Sequence, residues 1–218
     1  MNTRIDPKEE LDYLRREAKR GGGQAKVEAL RASGRKTARE RIDALVDSGS
    51  FMEIDAFVLS RETEHGIDRN AILGDGVIAG SATLDGRRIL CFSQDFSVFG
   101  GSVGEMHAQK IVKIVDMALR ARLPLVAIWD GGGQRAHEGV TSLGMTGEMM
   151  DRLIACSGRI PVISLVMGPV VGASALAAAL ADFVIIGEEH GEFFMSSPLE
   201  TPEVADEGMD SKDLGGAE

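Results

Sequence analysis

Apolar positions recur along the chain at helical spacing, at strand spacing, or hardly at all, and the three patterns occupy different stretches. From Pro7 to Val46 they are sparse, and Gly21-Gly22-Gly23 and Gly34 cut the stretch into three short helices. Asp6-Pro7 marks the first start, because proline at the opening position of a helix gives up no hydrogen bond. Thr37-Ala38-Arg39-Glu40 is a capping box, and Ile42, Leu45 and Val46 follow on one face. Residues 1–48 therefore read as a polar, basic helical arm more than a core.

Residues 51–99 change character. The β-rich runs Asp75–Thr83 and Arg87–Phe92 are joined by Leu84-Asp85-Gly86, where Asp-Gly favours a tight hairpin turn. A helix follows Gly104, with Ile111, Ile114, Val115, Ala118 and Leu119 on one stripe. The chain then alternates: a strand at Leu123–Trp129, a glycine loop at 131–133, a helix near 142–157 and a strand at Pro161–Met167. A second glycine turn at 168–172, an Ala-rich helix to Ala181 and a strand at Phe183–Ile186 complete the pattern. Apolar strands without polar alternation, separated by helices, imply a parallel sheet covered on both faces. The fold class is α/β, with a domain at 49–195. Glu192–Met195 offers one more strand, and residues 196–218 read as an acidic, mobile or partner-dependent tail.

Charge adds an asymmetry that this division does not contain. The net −10 comprises +3 over residues 1–48, from 12 basic and 9 acidic side chains, −4 over 49–187, and −9 over the last 31 residues. An acidic chain of ordinary globular composition is not a general binder of nucleic acid or anionic membranes. No run reaches membrane-spanning length and no signal core opens the chain, so a cytoplasmic protein is expected. Cys91 and Cys156 lie in apolar runs without a CxxC partner and read as buried thiols; no metal site is expected.

Two segments carry candidate chemistry, Asp130-Gly131-Gly132-Gly133-Gln134-Arg135 and Gly168-Pro169-Val170-Val171-Gly172-Ala173-Ser174. Each follows a buried strand and precedes a helix, where backbone amides are left unpaired and glycine lets a ligand approach. Two such turns can converge on one developing oxyanion. Equally, glycines at this spacing can serve only tight turns and close helix packing. The segments match neither the dinucleotide-binding fingerprint nor a phosphate-binding loop with its lysine. His107 reads as a helix-surface or satisfied interior imidazole, and His137 with Glu138 as loop anchors. Asp130 reads as a cap for backbone amides of its own loop. Chemistry run by backbone donors fits better than side-chain catalysis.

The stretch Phe92-Ser93-Gln94-Asp95-Phe96-Ser97-Val98-Phe99-Gly100-Gly101-Ser102, continuing through His107-Ala108-Gln109-Lys110-Ile111, resembles the carboxyltransferase (β) subunits of biotin-dependent acyl-CoA carboxylases, propionyl-CoA carboxylase type. So do Thr37–Asp43, Gly49-Ser50-Phe51, the 80–86 hairpin, the Asp130 loop with Glu138-Gly139-Val140, Met167-Gly168-Pro169 and Leu214–Ala217. The resemblance implies a crotonase-like spiral of ββα units and an acyl-CoA-binding half whose enolate is held by loop amides. On it, Gly132 and Gly133 donate to the thioester oxygen, Gly172 and Ala173 are companion donors or shape the acyl pocket, and Gly131, Gln134, Arg135, Gly100 and Gly101 line the substrate site. It further implies a coenzyme A thioester as substrate and biotin carried by a partner protein. Carboxybiotin releases CO2, the biotin ureido nitrogen takes the α-proton, and the enolate attacks CO2.

Several positions depart from the family's pattern. Gly131 stands for the usual Ser, Gln134 for Ala, Gly172-Ala173-Ser174 for Gly-Gly-Ala, and Ser196-Ser197-Pro198 for Thr-Gly-Pro. The 218 residues match the acyl-CoA half alone. The expected partners are therefore a C-terminal carboxyltransferase half, the biotin carboxylase and biotin carrier subunits, and further copies in an oligomer. Two other readings remain: a stand-alone crotonase-like hydratase or decarboxylase using Glu138 or His137 as acid and base, and a non-catalytic assembly subunit. Arg35, Lys36, Arg39 and Arg41 read as solvated helix surface, with CoA phosphates as the alternative.

Overall fold

A computed structural model describes residues 6–61, 72–196 and 211–217. The arm is three helices: α1 (Pro7–Ala18), α2 (Gln24–Ala32) and α3 (Ala38–Leu45). Pro7 follows the Asp6 N-cap, and the Thr37–Glu40 capping box closes reciprocally, so both starts form where their local chemistry places them.

The body is one seven-stranded sheet, β1 (Met52–Ile54), β2 (Val77–Leu84), β3 (Arg87–Gln94), β4 (Leu125–Gly131), β5 (Val162–Val171), β6 (Phe183–Ile186) and β7 (Glu192–Phe194). The first six lie in sequence order, and β7 pairs with the far end of β5. β1, β2 and β3 are antiparallel and the remaining pairs parallel, so the sheet is mixed, the expected hairpin leading into the expected parallel strands. The reason is the hairpin: Asp85 and Gly86 both take positive φ, 49° and 74°, which returns the chain directly beside itself. The hairpin followed by α4 (Glu105–Ala121) is a ββα unit; α5 (Gly139–Ile154) and α6 (Ala173–Ala179) succeed β4 and β5.

One face of the sheet packs on α4, α5 and α6 around Phe92, Trp129, Ile111, Val115 and Met149. Trp129 meets the Phe92 ring edge-on with centroids 5.0 Å apart, and its indole N–H donates to Ser164 Oγ at 3.0 Å. The opposite face is covered by α3, whose Ala38 and Ile42 pack on Ile78, Ile89, Cys91, Val126 and Ile128. Within the arm α3 is thus part of the core and α2 adds the buried Leu30, which corrects the reading as polar periphery for those two helices, whereas α1 buries no residue. Burial pushes the thiol of Cys91 up to about 12 and that of Cys156 up to about 11, so both are inert protonated side chains.

At the sheet's last edge, β6 leaves Phe183 (65%), Val184 and Ile185 exposed, so coverage is incomplete there. Part of the expected tail falls on residues 197–210, outside the described residues. Its described end, α7 (Ser211–Gly215), is a helix seated on β7, with Ser211 Oγ donating to Glu192 at 3.0 Å and Gly215 against the Phe194 ring. No helix among the described residues is long and apolar enough to cross a membrane.

Candidate functional site

The first glycine turn leaves the carboxyl end of β4, whereas Gly168–Val171 of the expected second turn are the last residues of β5, so that the chain turns only at Gly172, beside the first turn. The proximity of the two turns is measurable at Gly133: a Cβ there would lie 2.8 Å from Val171 O and 3.7 Å from the Ala173 amide nitrogen. Gly133 has φ +82° and Gly172 φ +59°, conformations that glycine adopts without strain.

The amides within the turns have different fates. Gly132 N–H donates to Gly100 O at 3.1 Å, and Gly172 N–H to Phe194 O at 2.9 Å as the last rung between β5 and β7. Of the expected donors, Gly132 and Gly172 are therefore engaged in holding the turns. Gly133 N–H and Ala173 N–H donate to no group among the described residues; Ala173, opening α6, has no preceding helical carbonyl to meet. Gln134 and Ser174 N–H likewise meet no acceptor among the described residues, but Gly133 and Ala173 are the two that lie where the turns abut.

The other expected site residues divide into packers and struts. Gly131 presses its Cα face against the Gly101 carbonyl and Gly101 against that of Asp130, so Gly100 and Gly101 shape the first turn by close backbone approach. Gln134 turns its amide away to donate to Gly139 O at 3.2 Å. Arg135, read from the resemblance as lining the substrate site, is 1% exposed and paired with Asp75 at 2.6 Å and Glu138 at 2.8 Å, with a further bond to Ser102 O at 3.0 Å. Its guanidinium is an internal strut, because two buried carboxylates require a cation among them.

Glu138 also accepts from Glu105 N–H at the start of α4 and from Ser60 Oγ. Burial raises its pKa, but that amide and Arg135 outweigh burial and hold the carboxyl below its ordinary value. It is an ionised helix cap, not a free acid or base, which corrects the hydratase reading as far as it relied on Glu138. His137 is exposed, with its ring 5.8 Å from that of Phe99.

His107 is the satisfied interior imidazole of the two expected alternatives. Nδ1–H donates to Asp75 O at 3.0 Å, leaving Nε2 to accept from Gln94 at 3.4 Å, and Gln94 Oε1 accepts Asp130 N–H at 3.1 Å. Burial, reinforced by the Arg135 charge, holds its pKa well below the ordinary value, so the ring is neutral at pH 7. Lys110, one turn further along α4, is driven down to about 8, chiefly by burial.

Asp130 does not cap its own loop. Its carboxylate faces the arm, where Arg35 binds Oδ1 and Arg41 binds Oδ2 at 2.6 Å; Arg41 also donates to Met167 O at 2.9 Å. Arg41 is a buried and Arg35 a half-buried partner of a buried acid, correcting their reading as solvated surface, and Arg39 pairs with Glu53 at 2.9 Å in a half-buried setting. The sequence did hold a signal: an aspartate ending an all-apolar strand must find a cation inside the fold. Gln94 and Asp75 had no such mark, since each acts through a partner distant in the chain.

A ββα-built sheet carrying two amide-lined turns at its carboxyl edge is the crotonase-like α/β class expected from the sequence. The profile of the carboxyl transferase domain family matches residues 29–218, and the chain belongs to that family. It is 45% identical over 208 residues to the propionyl-CoA carboxylase beta chain of Saccharopolyspora erythraea, covering 94% of this chain and 38% of that protein. Against the mitochondrial propionyl-CoA carboxylase beta chain of Mus musculus it is 42% identical, covering 98% and 40%. A solved structure of transcarboxylase 12S, described as a hexamer with methylmalonyl-coenzyme A and methylmalonic acid bound, superimposes with TM-score 0.92 at 35% identity over 100% of this chain and 42% of that one. The chain thus spans about two fifths of the length of these relatives.

Proposed function

We propose that the chain forms the acyl-CoA-binding portion of a biotin-dependent acyl-CoA carboxyltransferase acting on a short acyl-CoA such as propionyl-CoA. The observation that carries this is the pair of unengaged amides, Gly133 and Ala173, on abutting turns. As the α-proton leaves a thioester, charge collects on the carbonyl oxygen, and two N–H donors already fixed in place stabilise it without reorganising. The nearby side chains supply rigidity: Glu138 and Arg135 are locked in ion pairs, and His107 is neutral and fully bonded. Carboxybiotin, on a partner protein, supplies the CO2 and accepts the α-proton when bound. The second, biotin-binding portion and the biotin carboxylase and carrier subunits are partners in this reading, and likeness to a hexameric relative supports an oligomer.

Thermal unfolding with propionyl-CoA tests the binding role. A ligand at 100 times its Kd adds about 2.7 kcal/mol to the native state, a clear rise in Tm. An unchanged Tm overturns the reading and favours an assembly subunit. Carboxylation of propionyl-CoA with preformed free carboxybiotin by these 218 residues alone would overturn the need for a second portion.

A further inference from the structure

We propose that Arg41 is a positioning residue that sets the separation of the Gly133 and Ala173 amides; the inference rests on their reading as oxyanion donors. Parallel strands normally hold adjacent turns in register through evenly spaced ladder bonds. Here the register between β4 and β5 slips: Trp129 pairs with Val166, but Gly131 pairs with Val170. One residue on β4, Asp130, therefore faces three on β5, Met167, Gly168 and Pro169. Pro169 has no N–H to give a ladder, and the Cα of Gly168 lies tightly against the Asp130 carboxylate. The ladder is interrupted immediately before both donors, three residues ahead of Gly133 and six ahead of Ala173.

A single guanidinium spans the interruption. Arg41, its side chain 5% exposed, binds Asp130 Oδ2 at 2.6 Å with one nitrogen and Met167 O at 2.9 Å with another. It contacts both strands at the slipped register, so it substitutes for the missing rungs. Of the two strands Arg35 bonds Asp130 alone, completing the charge balance on its other oxygen, with its guanidinium 4.1 Å over the Phe96 ring. Arg41 comes from α3, whose Ala38 and Ile42 anchor it in the core beneath β2, β3 and β4. A lysine there can neutralise Asp130, but its single ammonium is not a planar fork able to reproduce two divergent bonds.

The test compares two ligands on the whole purified protein by calorimetry: CoA itself, and a CoA thioether ending in a nitronate, whose anionic oxygens copy a thioester enolate. The wild type is expected to prefer the nitronate. Arg41→Lys and Arg41→Met are expected to reduce that preference about tenfold or more, the scale of a misplaced oxyanion donor, while binding of CoA changes less than twofold. Preference kept in a folded Arg41→Lys protein overturns the inference, as does equal weakening of both ligands, which marks a prop of the whole fold. Should Arg41→Met fail to unfold cooperatively, Arg41→Lys, which retains the charge, carries the comparison. A wild type without preference overturns instead the reading of Gly133 and Ala173 on which the inference stands.

Discussion

The two glycine turns are held by opposite means. The Asp130–Arg135 turn is gripped by charge and side-chain bonds at both ends: Arg35 and Arg41 on Asp130, and Asp75 and Glu138 on Arg135. The Gly168–Ser174 turn has mainly backbone behind it, the β5–β7 pairing that ends at Gly172 N–H on Phe194 O, and small residues opening α6. Charged grips fix direction at the cost of desolvation, and fail badly when one partner is lost. A backbone grip tolerates side-chain change but not a change in the conformation of its glycine. A donor pair drawn one from each turn is sensitive to both kinds of damage.

Removing the guanidinium should separate the two turns most strongly. Arg135→Met strands the Asp75 and Glu138 carboxylates inside the protein, with an expected loss of about 3–5 kcal/mol in urea denaturation. A loss below about 1 kcal/mol, the range of exposed ion pairs, would show that water reaches the strut and that the charged grip is superficial. On the other turn, Gly172→Ala tests the backbone grip alone. Open space surrounds the new methyl group, the nearest atom being Met195 O at 3.8 Å, yet φ +59° with ψ −121° suits only glycine. Strain of about 1–3 kcal/mol is expected, and an unchanged midpoint would mean that the turn yields freely.

The smallest effect is one of pH, and it belongs to the charged side only. His107 is held neutral in the native state, so below its ordinary pKa of 6.5 the unfolded chain takes up a proton that the native chain refuses. Its contribution is complete above that pH and is lost as the pH falls from there towards the depressed native value. Glu138, also depressed, adds a loss only below its ordinary 4.5. His107's share of stability should therefore decline from pH 7 to 5, against the opposite sign of Asp75 and Asp95, whose burial raises their pKa, and His107→Gln should remove that decline while leaving the fall below 4.5. A slope identical in the variant assigns the decline to another group.

Local chemistry was legible in the sequence where it decides local structure. The Asp85-Gly86 hairpin, the Thr37 capping box and the strand at Phe183–Ile186 depend on neighbouring residues, and each is present. The strands leading into the site run further than their apolar runs indicated. β5 continues through Gly168-Pro169 as an irregularity inside a strand, where glycine and proline on their own spell a turn. Which amides stay unpaired was not legible either: it depends on the Gly100 carbonyl meeting Gly132, and on β7 meeting β5, contacts made far along the chain. Arg41 looks like any surface arginine until its partners, 89 and 126 positions away, are in place.

That last separation has a consequence for how the protein is made. The arm is synthesised before the strands it docks on, yet α2 and α3 have 9 and 8 residues, too short to persist as isolated helices. At about 5–20 residues per second, the 126 residues between Arg41 and Met167 take roughly 6–25 s to synthesise. Throughout that interval Arg41 lacks its Met167 carbonyl, so the bond that spans the two strands can form only after α3's packing partners Ile78 and Ile89 have long been made.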